Sequence, residues 1–370
     1  MVHIRLTIAL ISLALSPLSK AADVLVPQPT GPYGTSLSTH QLVDHGRVDP
    51  FAPSNQSRQV MVSVFQPVAS ANCSHVLQDY MPPATAAFED QNWYSAWRIP
   101  VRTFADLKLQ VCNSSISSQS FPLVIFSPAL GTTRLFYSAH AQALSSMGYV
   151  VVTIDHPYDT DIVEFPDGST VMGNLTDSSL LLAVSTRAQD VSFVIDELTN
   201  STALTGTVIS PNVTMFGHSL GGAAAAAAMV NDSRILGGLN MDGEFVGPVI
   251  QQGLSRSFLM FGVQYHNTWS TLDPTWSAIW QVLVDWKVQL NLARARHYTF
   301  SDLPLLTKLL NLDENGLPNG VMNMVGTLDG SRAFEVVSAY IAGFIQFTAS
   351  GKENSLLEME NGGYPEVTFI

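Results

Sequence analysis

The chain has 370 residues, a net charge of −13 and only 13% charged side chains. So acidic a chain disfavours nucleic acid and anionic membrane surfaces as partners. It has no H-E-x-x-H, paired C-x-x-C, complete EF-hand loop, dinucleotide fingerprint or Walker motif, so no metal and no cofactor is expected. Asp313-Glu-Asn-Gly316 has part of a calcium loop but not its spacing, and reads as a turn.

A basic start and a short apolar run at 6–15 lead to Ser19-Lys-Ala21, a small-x-small cleavage site. Residues 1–21 therefore read as a secretory signal peptide, and 22–370 as a single secreted, extracellular domain. The apolar run is too short to span a bilayer and nothing later reaches that length, so no transmembrane anchor is expected. Up to about residue 122 the pattern suggests antiparallel strands and irregular loops that extend a sheet. Cys73 and Cys112 are the only cysteines, and an oxidising compartment makes a disulfide between them the default. Sequons at Asn55, Asn72, Asn113, Asn174, Asn200 and Asn231 are candidate glycosylation sites. A seventh, at Asn212, is set apart because it opens a strand.

Beyond residue 122 strand-like runs alternate with helical patterns. Strands are expected at 121–126, 149–155, 213–218, 234–241, 255–263 and 288–292. Helices are expected at 181–198, 220–230 and 333–348, each from its pattern of apolar and small residues. This order implies an α/β fold with a mostly parallel central sheet and helices on both faces. His156 and Asp159 follow a strand and read as loop anchors. Trp269, Trp276, Trp280 and Trp286 could line an acyl or lipid pocket or pack in the core.

The chemistry is carried by Gly217-His218-Ser219-Leu220-Gly221, a G-x-S-x-G pentapeptide between a strand and an Ala-rich helix. That context is a nucleophile elbow, with Ser219 on a sharp turn and Gly217 and Gly221 giving it room. His218 reads as structural. The serine needs a base and a carboxylate, in the chain order Ser, Asp or Glu, His. Only His266 and His297 follow Ser219. His297 is the expected base, because it follows a further strand, and His266 is its competitor. Asp242, at the end of the 234–241 strand, is the expected acid, and Glu244 its main rival. Asp232 sits in a sequon and is expected at the surface. Asp273-Pro274 and Asp302 read as helix starts, and Asp285 as a turn. Two N–H groups should bind the oxyanion. One is that of Leu220. The other comes from the loop after the 121–126 strand, where Pro128 cannot donate and Leu130 is the candidate ahead of Ala129.

These residues also resemble a known family, the plasma-type platelet-activating-factor acetylhydrolases, in particular their secreted fungal branch. The resemblance runs from Gly31-Pro-Tyr33 through Arg47-Val-Asp-Pro-Phe51 and Phe126-Ser-Pro-Ala-Leu-Gly131. It continues through the elbow, Leu239-Asn-Met-Asp-Gly243 and His297-Tyr-Thr-Phe-Ser-Asp302 to Pro365-Glu-Val-Thr-Phe369. It implies an α/β-hydrolase fold, a triad on Ser219, Asp242 and His297, and oxyanion donors at Leu130 and Leu220. It also implies a small ester or phospholipid substrate. Ser127-Pro-Ala-Leu130 departs from the Ser-His-Gly-Leu of the animal enzymes. The expected function is a secreted serine esterase for short-acyl esters such as platelet-activating-factor-like phospholipids. A general carboxylesterase or polyester hydrolase is the alternative. A catalytically silent hydrolase fold used for binding is the alternative from another class.

Overall fold

The computed structural model describes residues 23–97, 99, 102–113, 119–200, 204, 209, 212–264, 266, 273–312, 319–352 and 354–370. These begin with β1 (Val24–Leu25) and a long hairpin, β2 (Tyr33–Val48) and β3 (Ser57–Ala69). Then come β4 (His75–Asp79), α1 (Pro83–Trp97) and β5 (Leu107–Cys112). Alternation follows: β6 (Leu123–Ser127), α2 (Ser138–Ser146), β7 (Val150–Asp155), a short hairpin of β8 (Ile162–Glu164) and β9 (Thr170–Met172), α3 (Leu180–Asn200) and β10 (Val213–His218). It continues with α4 (Leu220–Asn231), β11 (Ile235–Met241), α5 (Val249–Gln252), β12 (Ser257–Gly262), α6 (Pro274–Val282) and β13 (Lys287–Leu292). α7 (Leu303–Leu309), α8 (Asn319–Val325), α9 (Gly330–Ser350) and β14 (Val367–Phe369) complete the set.

The main sheet has nine strands among the described residues, in the order β14-β13-β12-β11-β10-β6-β7-β3-β2. Its six central strands, β13 to β7 in that order, are parallel, and β14, β3 and β2 run antiparallel at the edges. Successive side chains of a strand face opposite sides, so each central strand feeds two cores. Val213 and Met215 of β10 join α3, α4 and α6 on one face, while Phe216 joins α2, α7 and α9 on the other. The Ala-rich α4 lies in close contact with the sheet, with Ala223, Ala224, Ala225, Ala226 and Ala228 fully buried. Residues 320–350 are the one helical stretch among the described residues apolar and long enough to cross a membrane. Half of its most apolar part is buried in the protein, and Val337, Ile341 and Phe344 belong to the core.

The N-terminal region holds the expected antiparallel strands but also α1, which the apolar pattern does not announce. Pro83 opens this helix at its first position, where its missing N–H costs nothing. Asp232 is a second departure. It was expected at the surface, yet it is buried and bonded to Arg234 Nη2 at 2.6 Å and Ser192 Oγ at 2.9 Å. The chain turns extended at Asp232, the C-cap of α4, so the sequon's Asn231 faces out and its neighbour faces in. The tryptophans serve packing: Trp276 is fully buried, Trp286 stacks on Phe344, and Trp280 lies under Lys287. Trp269, the 1–21 segment, Asp313 to Gly316 and the side chain of Asn200 lie outside the described residues. Cys73 and Cys112 are bonded to each other beside the β4–β5 pair. Asn55, Asn72, Asn113, Asn174 and Asn231 are exposed.

Candidate active site

Parallel strands all deliver their C-terminal ends to one edge of the sheet, and the candidate residues gather there. β10 and β11 pair with His218 opposite Met241, so Ser219 and Asp242 come level. Ser219 N–H donates to Met241 O at 2.8 Å. Ser219 has φ 57° and ψ −123° at the start of α4, a left-handed geometry that a serine adopts only when its surroundings impose it. The elbow glycines explain the imposition. A Cβ on Gly217 would stand 2.1 Å from Gly221 O, and one on Gly221 would stand 2.0 Å from Ser127 O.

Asp242 is fully buried and carries two imidazoles. Its Oδ2 accepts from His297 Nδ1 at 2.7 Å. Its Oδ1 accepts from His266 Nδ1 and from Val263 N–H, both at 2.8 Å. Burial alone would push this carboxyl up, but the bonds from His266 and His297 prevail and bring it down to about 2. It is therefore an anion with each oxygen engaged. The choice posed by the sequence between His266 and His297 resolves into two imidazoles on one carboxylate. His266 stacks on Trp276, whose Nε1 donates to Gly243 O at 2.8 Å, and its Nε2 lies 3.5 Å from Asp273 Oδ2. Burial opposes charge on His266, but Asp242, Asp273 and Glu244 together raise its affinity for a proton. His297 is more open, 39% exposed against 18% for His266, and its ring lies 4.5 Å from that of His218 next to the elbow serine. Glu244 is exposed and stands by His266, not by His297.

His218 is wholly buried, and burial together with His297 holds it well below the ordinary histidine range, so it is neutral. Its Nδ1 lies 2.7 Å from Tyr137 Oη, and that oxygen accepts Ala129 N–H at 3.4 Å. Tyr137 thus ties the elbow to the loop after β6. In that loop Gly131 N–H donates to Asp159 O at 3.0 Å. Pro128 lacks a donor and Ala129 and Gly131 are engaged, while Leu130 N–H has no bond among the described residues. Leu220 is the first residue of α4, where helical N–H groups have no partner within the helix.

A buried ionic network holds this loop, and sequence reading found only its rim. Arg187 of α3 donates to Ser127 Oγ at 3.1 Å and to the carbonyls of Pro128 and Ala129, and pairs with Asp159. Ser127 Oγ lies 3.0 Å from His156 Nε2, and His156 Nδ1 lies 2.8 Å from Asp190 Oδ2. Arg58 closes the chain, pairing with Asp190 at 2.7 Å and with Asp49 at 2.9 Å. Burial lowers His156, so its neutral ring donates from Nδ1 and accepts at Nε2. Burial would raise Asp190, but Arg58 and His156 hold it well below the usual carboxylate range. His156 and Asp159 are thus loop anchors, as expected. Arg187, Asp190, Arg58 and Asp49 carry no local motif.

The profile of the family described as "Platelet-activating factor acetylhydrolase, isoform II" matches residues 62–164. A probable 1-alkyl-2-acetylglycerophosphocholine esterase from Arthroderma benhamiae is 32% identical over 94% of this chain and 94% of its own. The chain belongs to this family. A platelet-activating factor acetylhydrolase from Cavia porcellus is 25% identical over 40% of this chain and 39% of its own. Among solved structures, a ferulic acid esterase from Streptomyces cinnamoneus superposes with a TM-score of 0.80 at 27% identity. That match covers 94% of this chain and all of the other. The fold is accordingly that of an α/β-hydrolase, and the protein is an esterase.

In this esterase the side chains of Leu130 and Leu220 belong to an apolar cluster with Val184, Ala223, Phe51 and Val246. A cavity of about 200 Å³ opens beside that cluster, between Leu181 and Val184 of α3 and Val230, Val246 and Val249.

Proposed function

We propose that this protein is a secreted serine esterase of short-acyl esters, acting on the sn-2 acetyl group of platelet-activating-factor-like phospholipids. The observation that carries the reading is the bond from His297 Nδ1 to buried Asp242, level with Ser219 across two adjacent strands. Ser219 Oγ attacks the ester carbonyl and passes its proton to His297 Nε2. Asp242 holds the ring in the tautomer with Nδ1 protonated and offsets the positive charge that develops. Leu220 and Leu130 N–H groups bind the oxyanion, each worth about 3–4 kcal/mol of barrier. His297 then protonates the departing alcohol, and a water activated by the same ring hydrolyses the acyl-enzyme. No metal or cofactor enters these steps. The printed activity of the Arthroderma relative supports an acetyl or similarly short acyl group. The 1–21 segment and the disulfide support export.

A panel of esters of increasing acyl length, assayed on protein recovered from culture medium, tests this. Acetyl and butyryl esters should lead in kcat/KM. The Streptomyces neighbour favours a second reading, a broader carboxylesterase, and a feruloyl ester exceeding the acetylglycerophosphocholine ester would select it. Ser219→Ala and His297→Ala should each reduce kcat about 10⁴–10⁶-fold, and Asp242→Asn about 10⁴-fold. Near-normal turnover in Asp242→Asn would remove Asp242 from the mechanism.

A further inference from the structure

Most buried carboxylates in this protein meet a cation, while Asp90 and Asp302 accept backbone N–H groups instead. Asp49 and Asp190 meet Arg58, Asp155 meets Arg134, Asp159 meets Arg187, and Asp242 meets its two histidines. Glu89 and Asp161 do not. They lie against each other, and neither has a basic side chain within ion-pairing distance among the described residues. Glu89 is fully buried on α1. Its Oε2 accepts from Trp93 Nε1 at 3.1 Å, and its Oε1 has no hydrogen-bond partner. Two carboxyls in such contact must share a proton or share a counter-ion.

Both line a cavity of about 150 Å³, together with Trp93, Phe136 and Tyr298. Its lining also includes Gly131 and Thr132, which follow the oxyanion candidate Leu130, and Tyr298 follows His297. Thr132 Oγ1 and Tyr298 Oη are 3.2 Å apart. That volume has room for a group the size of a trimethylammonium head. The cavity thus adjoins residues next in sequence to the proposed donor and base. General acid catalysis requires the departing oxygen within reach of His297, and Tyr298, the next residue, lines this cavity.

We propose that this acidic, aromatic cavity is the subsite for a quaternary ammonium group, the cationic end of the leaving alcohol. Aromatic faces attract such a cation, and the paired carboxyls supply negative charge that meets no basic side chain among the described residues. The binding site deepens the reading given under Proposed function and rests on it for the substrate. It makes the enzyme's preference among acetate esters a matter of headgroup charge.

The test uses the full-length enzyme, with choline and its neutral carbon isostere as inhibitors. Turnover is compared between 1-alkyl-2-acetylglycerophosphocholine and the acetylglycerol lacking the headgroup. Choline should inhibit competitively and at least about tenfold better than the isostere. Glu89→Gln, and independently the half-buried Asp161→Asn, should weaken choline inhibition about tenfold. Each should cut the kcat/KM ratio of the phosphocholine ester to the headgroup-free ester by a similar factor. Equal inhibition by choline and the isostere overturns the subsite, as does an unchanged ratio in both variants. If neither phospholipid ester is turned over while p-nitrophenyl acetate is, the substrate reading fails alone. Choline inhibition of p-nitrophenyl acetate hydrolysis then decides the subsite.

Discussion

Two walls meet at Ser219, and they are built by different physics. The elbow wall, β10 into α4, is held by backbone approaching backbone, with glycines at 217 and 221 where any Cβ would strike a carbonyl. The oxyanion wall, the loop after β6, is held by buried side chains, the charged Arg187, Asp159, Asp190 and Arg58 and the neutral His156. Backbone contact gives rigidity at no desolvation cost, but it tolerates no added atom. Buried ions can grip a carbonyl from a distance, but each must find its counter-charge.

Gly221→Ala should break the first wall outright. Its Cβ would lie 2.0 Å from Ser127 O, so nucleophile and oxyanion loop must part. The expected loss is on the order of 4 kcal/mol in stability and at least about 10³-fold in kcat. A thermal melt and an ester assay would show it, and a variant with normal activity would refute the contact. Arg187→Met attacks the second wall. It leaves Asp159 buried without its partner, at a cost of about 3 kcal/mol, and frees the Pro128 and Ala129 carbonyls. Removing both charges in Arg187→Met with Asp159→Leu should restore much of the stability but not kcat, which stays about 10²-fold down. Recovery of kcat in the double variant would mean that the guanidinium holds the fold and not the loop.

His266 sharpens the comparison where the walls meet, because it positions the carboxylate that serves His297. His266→Ala should lower kcat about tenfold with little change in KM, and His266→Asn, which keeps an N–H for Asp242, should recover most of it. An unchanged kcat in the alanine variant would reduce His266 to packing. The smallest effect concerns pH. Asp242 is depressed to about 2 in the fold, below its unfolded value near 4. The unfolded chain therefore binds the extra proton, and the stability contributed by Asp242 is present above about pH 4 and lost as pH falls towards 2. The fall of melting temperature across that window should be shallower in Asp242→Asn.

The two walls also differ in how far a reader of sequence can see them. The elbow announces itself because every part lies within ten residues, and β-branched strand, small residues and Ala-rich helix all follow local rules. The choice of Leu130 as candidate donor was open to sequence reading because Pro128 removes one alternative by covalent structure. The ionic wall is not reachable. Arg58 and Asp190 are 132 residues apart, and no spacing rule links an arginine on one strand to an aspartate on a distant helix. Asp232 failed in the same way, since a sequon says which asparagine faces water and nothing of its neighbour. α1 was missed because its apolar residues do not keep to one face. The choice between two histidines was well posed, but sequence order could not reveal that one aspartate has two oxygens to give.

The proposed oxyanion donors at Leu130 and Leu220 are main-chain groups, while the side chains of the same two residues join one apolar cluster. Each leucine therefore holds two offices that can be filled separately. Chemistry needs only its amide, which any residue except proline provides, and substrate fit needs only its side chain. A lineage could reshape the acyl-binding surface at these positions and leave the catalytic apparatus untouched. Such a division lets one scaffold explore many esters without passing through inactive intermediates.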